Sequence, residues 1–231
     1  MDKVGGFRDA NTNEFLSYDE VKELATFLST ALAQKYNVGP GTNVSIFTSN
    51  SIWYPVALFS AVRLGAVVTG SSPEYGVEEV AYILKASSTE LVYADKGSFK
   101  TISAAATKLG LPQDRIIRLD EAEAGLTSLK DLIKQGQSAG TPPAAWKLPP
   151  GQSNKNVLAY LSFTSGTTSL PKGVGHAEMV LPMMYSDYFA GHDLPPQCRC
   201  SNSADGLSGP CRPPQSPPWR SATLSQSVNG L

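Results

Sequence analysis

The chain reads as an α/β protein: largely parallel β-sheets with flanking helices, followed by a C-terminal tail without a fold of its own. Three observations predict it. Short β-branched apolar runs alternate with helical periodicities from residue 17 to residue 135. Clusters of Gly, Pro and Asn separate the successive units, and from about residue 190 both periodicities cease. Strands alternating with helices imply right-handed crossovers and helices on both faces of the sheet.

The elements follow in order. Ser17-Tyr-Asp-Glu20 has the spacing of a capping box, and Val21, Leu24, Ala25, Leu28 and Leu32 then recur at helical intervals. Gly39-Pro-Gly41 ends that unit, and residues 43–48 alternate as a strand. Asn50 is placed to cap a helix that carries Ile52, Trp53, Val56, Ala57 and Ser60 and stops near Gly65. Trp53, Tyr54 and Phe59, with apolar neighbours on that helix, are assigned to the core. Residues 66–69 read as a buried strand, 77–86 as a helix, 91–94 as a strand and 99–109 as a helix. A strand at 115–119 and a helix at 126–135 complete the alternation. Residues 136–156 are rich in Pro, Gly, Gln and Ser, which predicts a loop crossing the surface. It delivers the chain to residues 157–163, an apolar run suited to a central strand.

Composition narrows the function classes. A formal net charge of −1 leaves no basic field to attract nucleic acid or an anionic membrane. No apolar run has the length of a bilayer span, and the first residues lack a signal peptide's apolar core. The three cysteines, Cys198, Cys200 and Cys211, share one short stretch, and their odd number predicts a reduced, intracellular protein. They are read as free thiols, because a structural zinc needs four well-spaced ligands. Val228-Asn-Gly-Leu231 is not a peroxisomal address, so the cytoplasm is the expected compartment.

The candidate site is the stretch that follows residues 157–163. Thr164, Ser165, Thr167 and Thr168 bring hydroxyl donors, Gly166 permits close backbone approach, and Lys172 adds a positive charge. Backbone N–H groups in such a loop converge on an anion. A Walker A loop ends Gly-Lys-Ser/Thr, whereas here Pro171 precedes Lys172 and Gly173 follows it. The loop is therefore read as a polyphosphate cradle of another kind, set at the carboxyl end of a parallel strand, where open α/β sheets place their ligand crevices.

Thr164-Ser-Gly-Thr-Thr-Ser-Leu-Pro-Lys-Gly173 resembles the phosphate loop of the AMP-forming adenylating enzymes, with Ser169 where that superfamily mostly has glycine. Phe7-Arg-Asp-Ala-Asn-Thr-Asn-Glu-Phe-Leu-Ser-Tyr-Asp-Glu-Val21, Pro40-Gly-Thr-Asn-Val-Ser-Ile-Phe-Thr-Ser-Asn-Ser51, Ala57-Leu-Phe-Ser-Ala-Val-Arg-Leu-Gly-Ala-Val-Val68 and Ser72-Pro-Glu-Tyr-Gly-Val-Glu-Glu-Val80 resemble its upstream landmarks in the right order. Their style is that of acyl-CoA synthetases and 4-coumarate–CoA ligases.

The resemblance implies the N-terminal part of an acyl-CoA synthetase large domain. It divides the chain into a partial AMP-binding domain at 1–189 and a tail at 190–231, whose Pro/Ser-rich composition predicts disorder and whose contrast with the rest points to a shifted reading frame, a retained intron or a rearranged gene end. It implies ATP, Mg²⁺ and coenzyme A, a small carboxylic acid substrate, and a place in secondary metabolism. Thr164, Ser165, Gly166, Thr167, Thr168, Ser169, Lys172 and Gly173 would bind nucleotide; no catalytic or metal-ligating residue is assigned. His176 is out of register with the family's downstream histidine and is read as an ordinary polar residue, and His192 has no partner by spacing. The family's later motifs are absent, so the polypeptide alone is expected to be weakly active or inactive. A non-catalytic nucleotide-binding remnant and a gene relic stay open as alternatives.

Overall fold

The computed structural model describes residues 5–10, 12–120, 125–151, 153, 157–164 and 171–177, with backbone alone at 164, 176 and 177. His192, the three cysteines and the 190–231 tail lie outside the described residues. An antiparallel hairpin of β1 (Gly6–Arg8) and β2 (Phe15–Ser17) comes first. Then follow α1 (Tyr18–Tyr36), β3 (Asn43–Phe47), α2 (Tyr54–Arg63), β4 (Val67–Ser71), α3 (Val77–Ala86), β5 (Leu91–Ala94) and α4 (Phe99–Leu109). A 3-10 turn over Gln113–Arg115 leads to β6 (Ile116–Arg118), β7 (Thr127–Ser128), α5 (Leu129–Ser138), β8 (Leu158–Thr164) and β9 (Lys172–Ala177).

Strands β3 to β9 form one seven-stranded sheet in the order β7-β6-β5-β3-β4-β8-β9. Every pair is parallel except β8 with β9. Two apolar layers explain why both faces of these strands are hydrophobic. β3 sends Val44 and Ile46 into one layer and Phe47 into the other; β5 divides Leu91 and Tyr93 from Val92 and Ala94, and β6 divides Ile117 from Ile116. Helices α1, α2 and α5 cover the first layer, and α3 and α4 the second. Strands buried on both sides need near-continuous apolar runs, as the sequence reading supposed.

The predicted elements at 77–86, 91–94 and 99–109 fall where expected. The Ser17–Glu20 capping box is present: the Ser17 amide donates to Glu20 Oε2 at 2.8 Å, and the Glu20 amide donates to Ser17 Oγ at 3.3 Å. Three readings are corrected. Asn50 does not cap α2; its N-cap is Trp53, without a side-chain bond, and the Tyr54 amide donates to the Ser51 carbonyl instead. Trp53, Tyr54 and Phe59 are only half-buried, packed against the first layer. The last helix starts three residues late because Ser128 forms its own capping box with Asp131, and residues 127–128 pair as β7.

That helix also continues past Gly136. A Cβ there would stand 1.8 Å from the Phe27 carbonyl oxygen, so glycine is what allows α5 to lie against the backbone of α1. The Pro-rich segment after it is pinned to α2: the Trp146 amide donates to the Arg63 carbonyl at 2.8 Å, and Arg63 donates to the Pro143 carbonyl at 2.9 Å. The Trp146 indole packs where a side chain on Gly65 would stand.

Gly136→Ala should lower stability by about 2 kcal/mol, because the obstructing atom is backbone and moves only with the helix. Gly39→Ala meets nothing within 4 Å and should change stability by less than about 0.5 kcal/mol. Urea midpoints of the two variants check this; equal midpoints contradict the close α1–α5 approach.

Candidate functional site

β8 joins the sheet beside β4, with Val68 opposite Tyr160 and Gly70 opposite Ser162. Glycine at position 70 makes this pairing possible. A Cβ on Gly70 would lie 1.8 Å from the Tyr160 hydroxyl oxygen and 3.0 Å from that of Tyr54. The two phenols meet in that space, 2.9 Å apart, and tie the first turn of α2 to β8. Glycine inside a strand often marks such close approach.

Thr164 closes β8 and Lys172 opens β9, and the two residues face each other across the antiparallel ladder, followed by Phe163 opposite Gly173. The start of β9 therefore lies beside the carboxyl end of β8. Lys172 is exposed, and Pro171 before it is buried. Phe163 anchors the end of β8 in the second apolar layer. Of the sequence-predicted site residues, Thr164, Lys172 and Gly173 are therefore brought together at the loop mouth. Ser165, Gly166, Thr167, Thr168 and Ser169 lie outside the described residues. β9 itself was missed, because Gly173 and Gly175 remove the β-branched signal a strand normally carries. Its His176 stands opposite Tyr160.

A second cluster at the same edge was also missed. Asp95 Oδ2 accepts from the Ser49 amide and hydroxyl at 2.8 Å each and from Thr48 Oγ1 at 3.3 Å. Its Oδ1 accepts from the Ser98 amide and hydroxyl, again at 2.8 Å. Partial burial pushes this carboxyl up, but the Ser49 and Ser98 donors outweigh it and draw the pKa from 3.8 down to about 2. The carboxylate braces the loops after β3 and β5. The only sequence signal was Asp95 three residues ahead of Ser98, a turn pattern.

The family profile described as AMP-binding enzyme matches residues 5–189. That match spans most of the chain, which belongs to the AMP-binding enzyme family. It is 25% identical over 194 residues to phenylacetyl-CoA ligase epaB of Aspergillus niger, covering 80% of this chain and 34% of that one. It is 32% identical over 177 residues to 4-coumarate–CoA ligase 2 of Oryza sativa subsp. japonica, covering 71% and 29%. The chain thus spans about a third of the length of the curated relatives it matches. The fold is shared with the anthranilate CoA ligase AuaEII, solved with anthranoyl-AMP, at a TM-score of 0.64 and 23% identity over 80% of this chain and 33% of that one. A red-emitting luciferase from Phrixothrix hirtus gives 0.68 at 24% identity, over 79% and 34%.

The Asp95 brace generates a pH prediction. A carboxyl whose folded pKa is depressed stabilises the fold fully above its ordinary value and loses that contribution as pH falls through the folded one, here between about pH 4 and about pH 2. Solvent reaches the group, so the expected loss is about 1 kcal/mol. Denaturant titrations at about pH 5 and about pH 2 should show a smaller decrease in Asp95→Asn than in the parent chain. Equal decreases contradict the brace.

Proposed function

We propose that this chain activates a small-molecule carboxylic acid, aromatic or fatty, with ATP and passes it to coenzyme A as a thioester, in secondary metabolism and in the cytoplasm. One observation carries the reading: Thr164 pairs with Lys172 at the carboxyl end of β8, so the two ends of the hydroxyl-rich stretch lie side by side. Family membership supports the same chemistry.

In the proposed reaction the carboxylate oxygen attacks the α-phosphorus. The bond to the bridging oxygen breaks, and pyrophosphate leaves with that electron pair. The coenzyme A thiol then attacks the acyl carbon, AMP departs as the leaving group, and the thiol proton passes to solvent. The loop holds the outer phosphates: hydroxyls of Thr164, Ser165, Thr167 and Thr168 and the backbone at Gly166, Ser169 and Gly173 donate hydrogen bonds, and Lys172 offsets charge growing on the leaving group. Among the described residues no three His, Cys, Asp or Glu side chains gather to hold a metal. Bound Mg²⁺ would supply further neutralisation of phosphate charge beside Lys172.

A second reading is a unit that holds nucleotide without turnover, and it has its own arm in the test. ATP–pyrophosphate exchange measured with a panel of aromatic and fatty acids should be acid-dependent and fall about 10²-fold in Lys172→Ala. Thermal stabilisation by ATP without exchange selects the second reading. Neither exchange nor stabilisation contradicts both.

A further inference from the structure

The sheet has one place where the connections part. From β3 the chain leaves through α2 toward β4, and from β5 it leaves through α4 toward β6, on the other side and the other face. Such a switch point leaves a crevice beyond the carboxyl ends of the strands, which neither connection covers. Here it is a cavity of about 250 Å³, with Asn50, Ser51, Trp53, Leu119, Asp120 and Lys130 among the residues around it.

We propose that this crevice is a second binding site, separate from the phosphate loop, for a compact neutral molecule carrying a vicinal diol. The walls are fixed before any ligand arrives. Asp95 locks the loops after β3 and β5, as described above. Asp120 accepts from the Lys96 amide at 2.8 Å, from Arg118 Nε at 2.9 Å and from the other Arg118 guanidinium nitrogen at 2.8 Å. Arg118 is buried to 2% exposure and stacks its guanidinium 5.1 Å from the Phe99 ring, so Asp120 cannot swing away without stranding that charge. The Asp120 side chain is still 40% exposed and keeps lone pairs for a ligand.

The charges around the cavity are already answered. Arg118 pairs with Asp120, five donors surround Asp95, and the Lys130 ammonium lies 5.1 Å over the Trp53 ring. A neutral ligand therefore fits better than an ion. Asp120 and Ser51 bring acceptors and Asn50 and Lys130 bring donors to a crevice that Trp53 and Leu119 also line. That arrangement suits adjacent hydroxyls on one edge of a ligand and C–H groups on the other. The volume lies below the ~300 Å³ lower bound for drug-sized ligands, which favours a sugar ring over a whole nucleotide. At a strand spacing of about 4.8 Å, the β3–β5 crevice lies roughly 12 Å along the sheet from β8 and its loop.

The ring could come from a free sugar or from a nucleoside, and calorimetry on the full chain with D-ribose, adenosine and dideoxyadenosine separates them. Ribose and adenosine should bind saturably and dideoxyadenosine about tenfold more weakly. Tighter adenosine identifies the nucleoside as the source, and equal affinities the free sugar. Asp120→Asn should weaken both by about tenfold, but it strands buried Arg118 and can lower stability. Asn50→Ala, at an exposed position, should weaken them by about fivefold without changing the thermal midpoint. Lys172→Ala should leave diol binding unaltered while impairing pyrophosphate exchange, so this site and the phosphate loop fail independently. No saturable binding, binding indifferent to the diol or to Asn50, or binding lost in Lys172→Ala overturns the proposal.

Discussion

The pairing of β8 with β4 is the constraint on which the site depends. It fixes where β8 ends, and hence where the stretch proposed to bind phosphate begins. The pairing rests on an absent side chain: with a Cβ at position 70, the Tyr160 phenol could not lie across β4 to reach Tyr54. One glycine thereby joins helix α2, strand β4 and the loop-bearing strand into a single rigid corner. Phe163, one residue before the loop, is held in the second apolar layer and continues that rigidity to the sheet edge.

The rest of the fold brings the carboxyl ends of β3, β5, β6 and β8 to one side of the sheet, since those strands are parallel. Apolar layers on both faces leave that edge as the place where polar groups meet solvent together. Two kinds of chemistry collect there. Thr164 and Lys172 face each other at the end of β8, while carboxylates locked by Ser49, Ser98 and Arg118 line the crevice at the switch point. The separation follows from strand order: β5 crosses behind β4 and β3 to pair on the far side of β3, which places its Asp95 beside Ser49 rather than beside the loop.

Much of this was legible in the sequence where the signal is local. Capping at Ser17, the periodicity of Val80, Ile83 and Leu84, and the unbroken apolar run at Leu91 each depend on neighbours within a turn or two. The proposed phosphate-binding stretch 164–173 is likewise contiguous in sequence, but its residues 165–170 lie outside the described residues. What failed was decided by distant contacts. Gly136 reads as a helix stop until α1 is laid against it, and Asn50 reads as a cap until Ser49 is held by a carboxylate from β5. The β1–β2 hairpin is set by Asp9, whose carboxylate accepts from the Thr12 amide at 2.8 Å, and by Asn13 at φ 63°, in strands too short to show alternation. Gly70 carried no signal at all, because its role exists only once Tyr54 and Tyr160 face each other.

The proposed role of the stretch from Thr164 to Gly173 is to take the outer phosphates of ATP. Amide chemical-shift mapping of the isotope-labelled chain during nucleotide titration reads this residue by residue. If the loop takes those phosphates, shifts should concentrate on the amides of Thr164–Gly173 and grow from AMP to ADP to ATP. Shifts of equal size for AMP and ATP, or shifts that leave those amides unmoved, would contradict it.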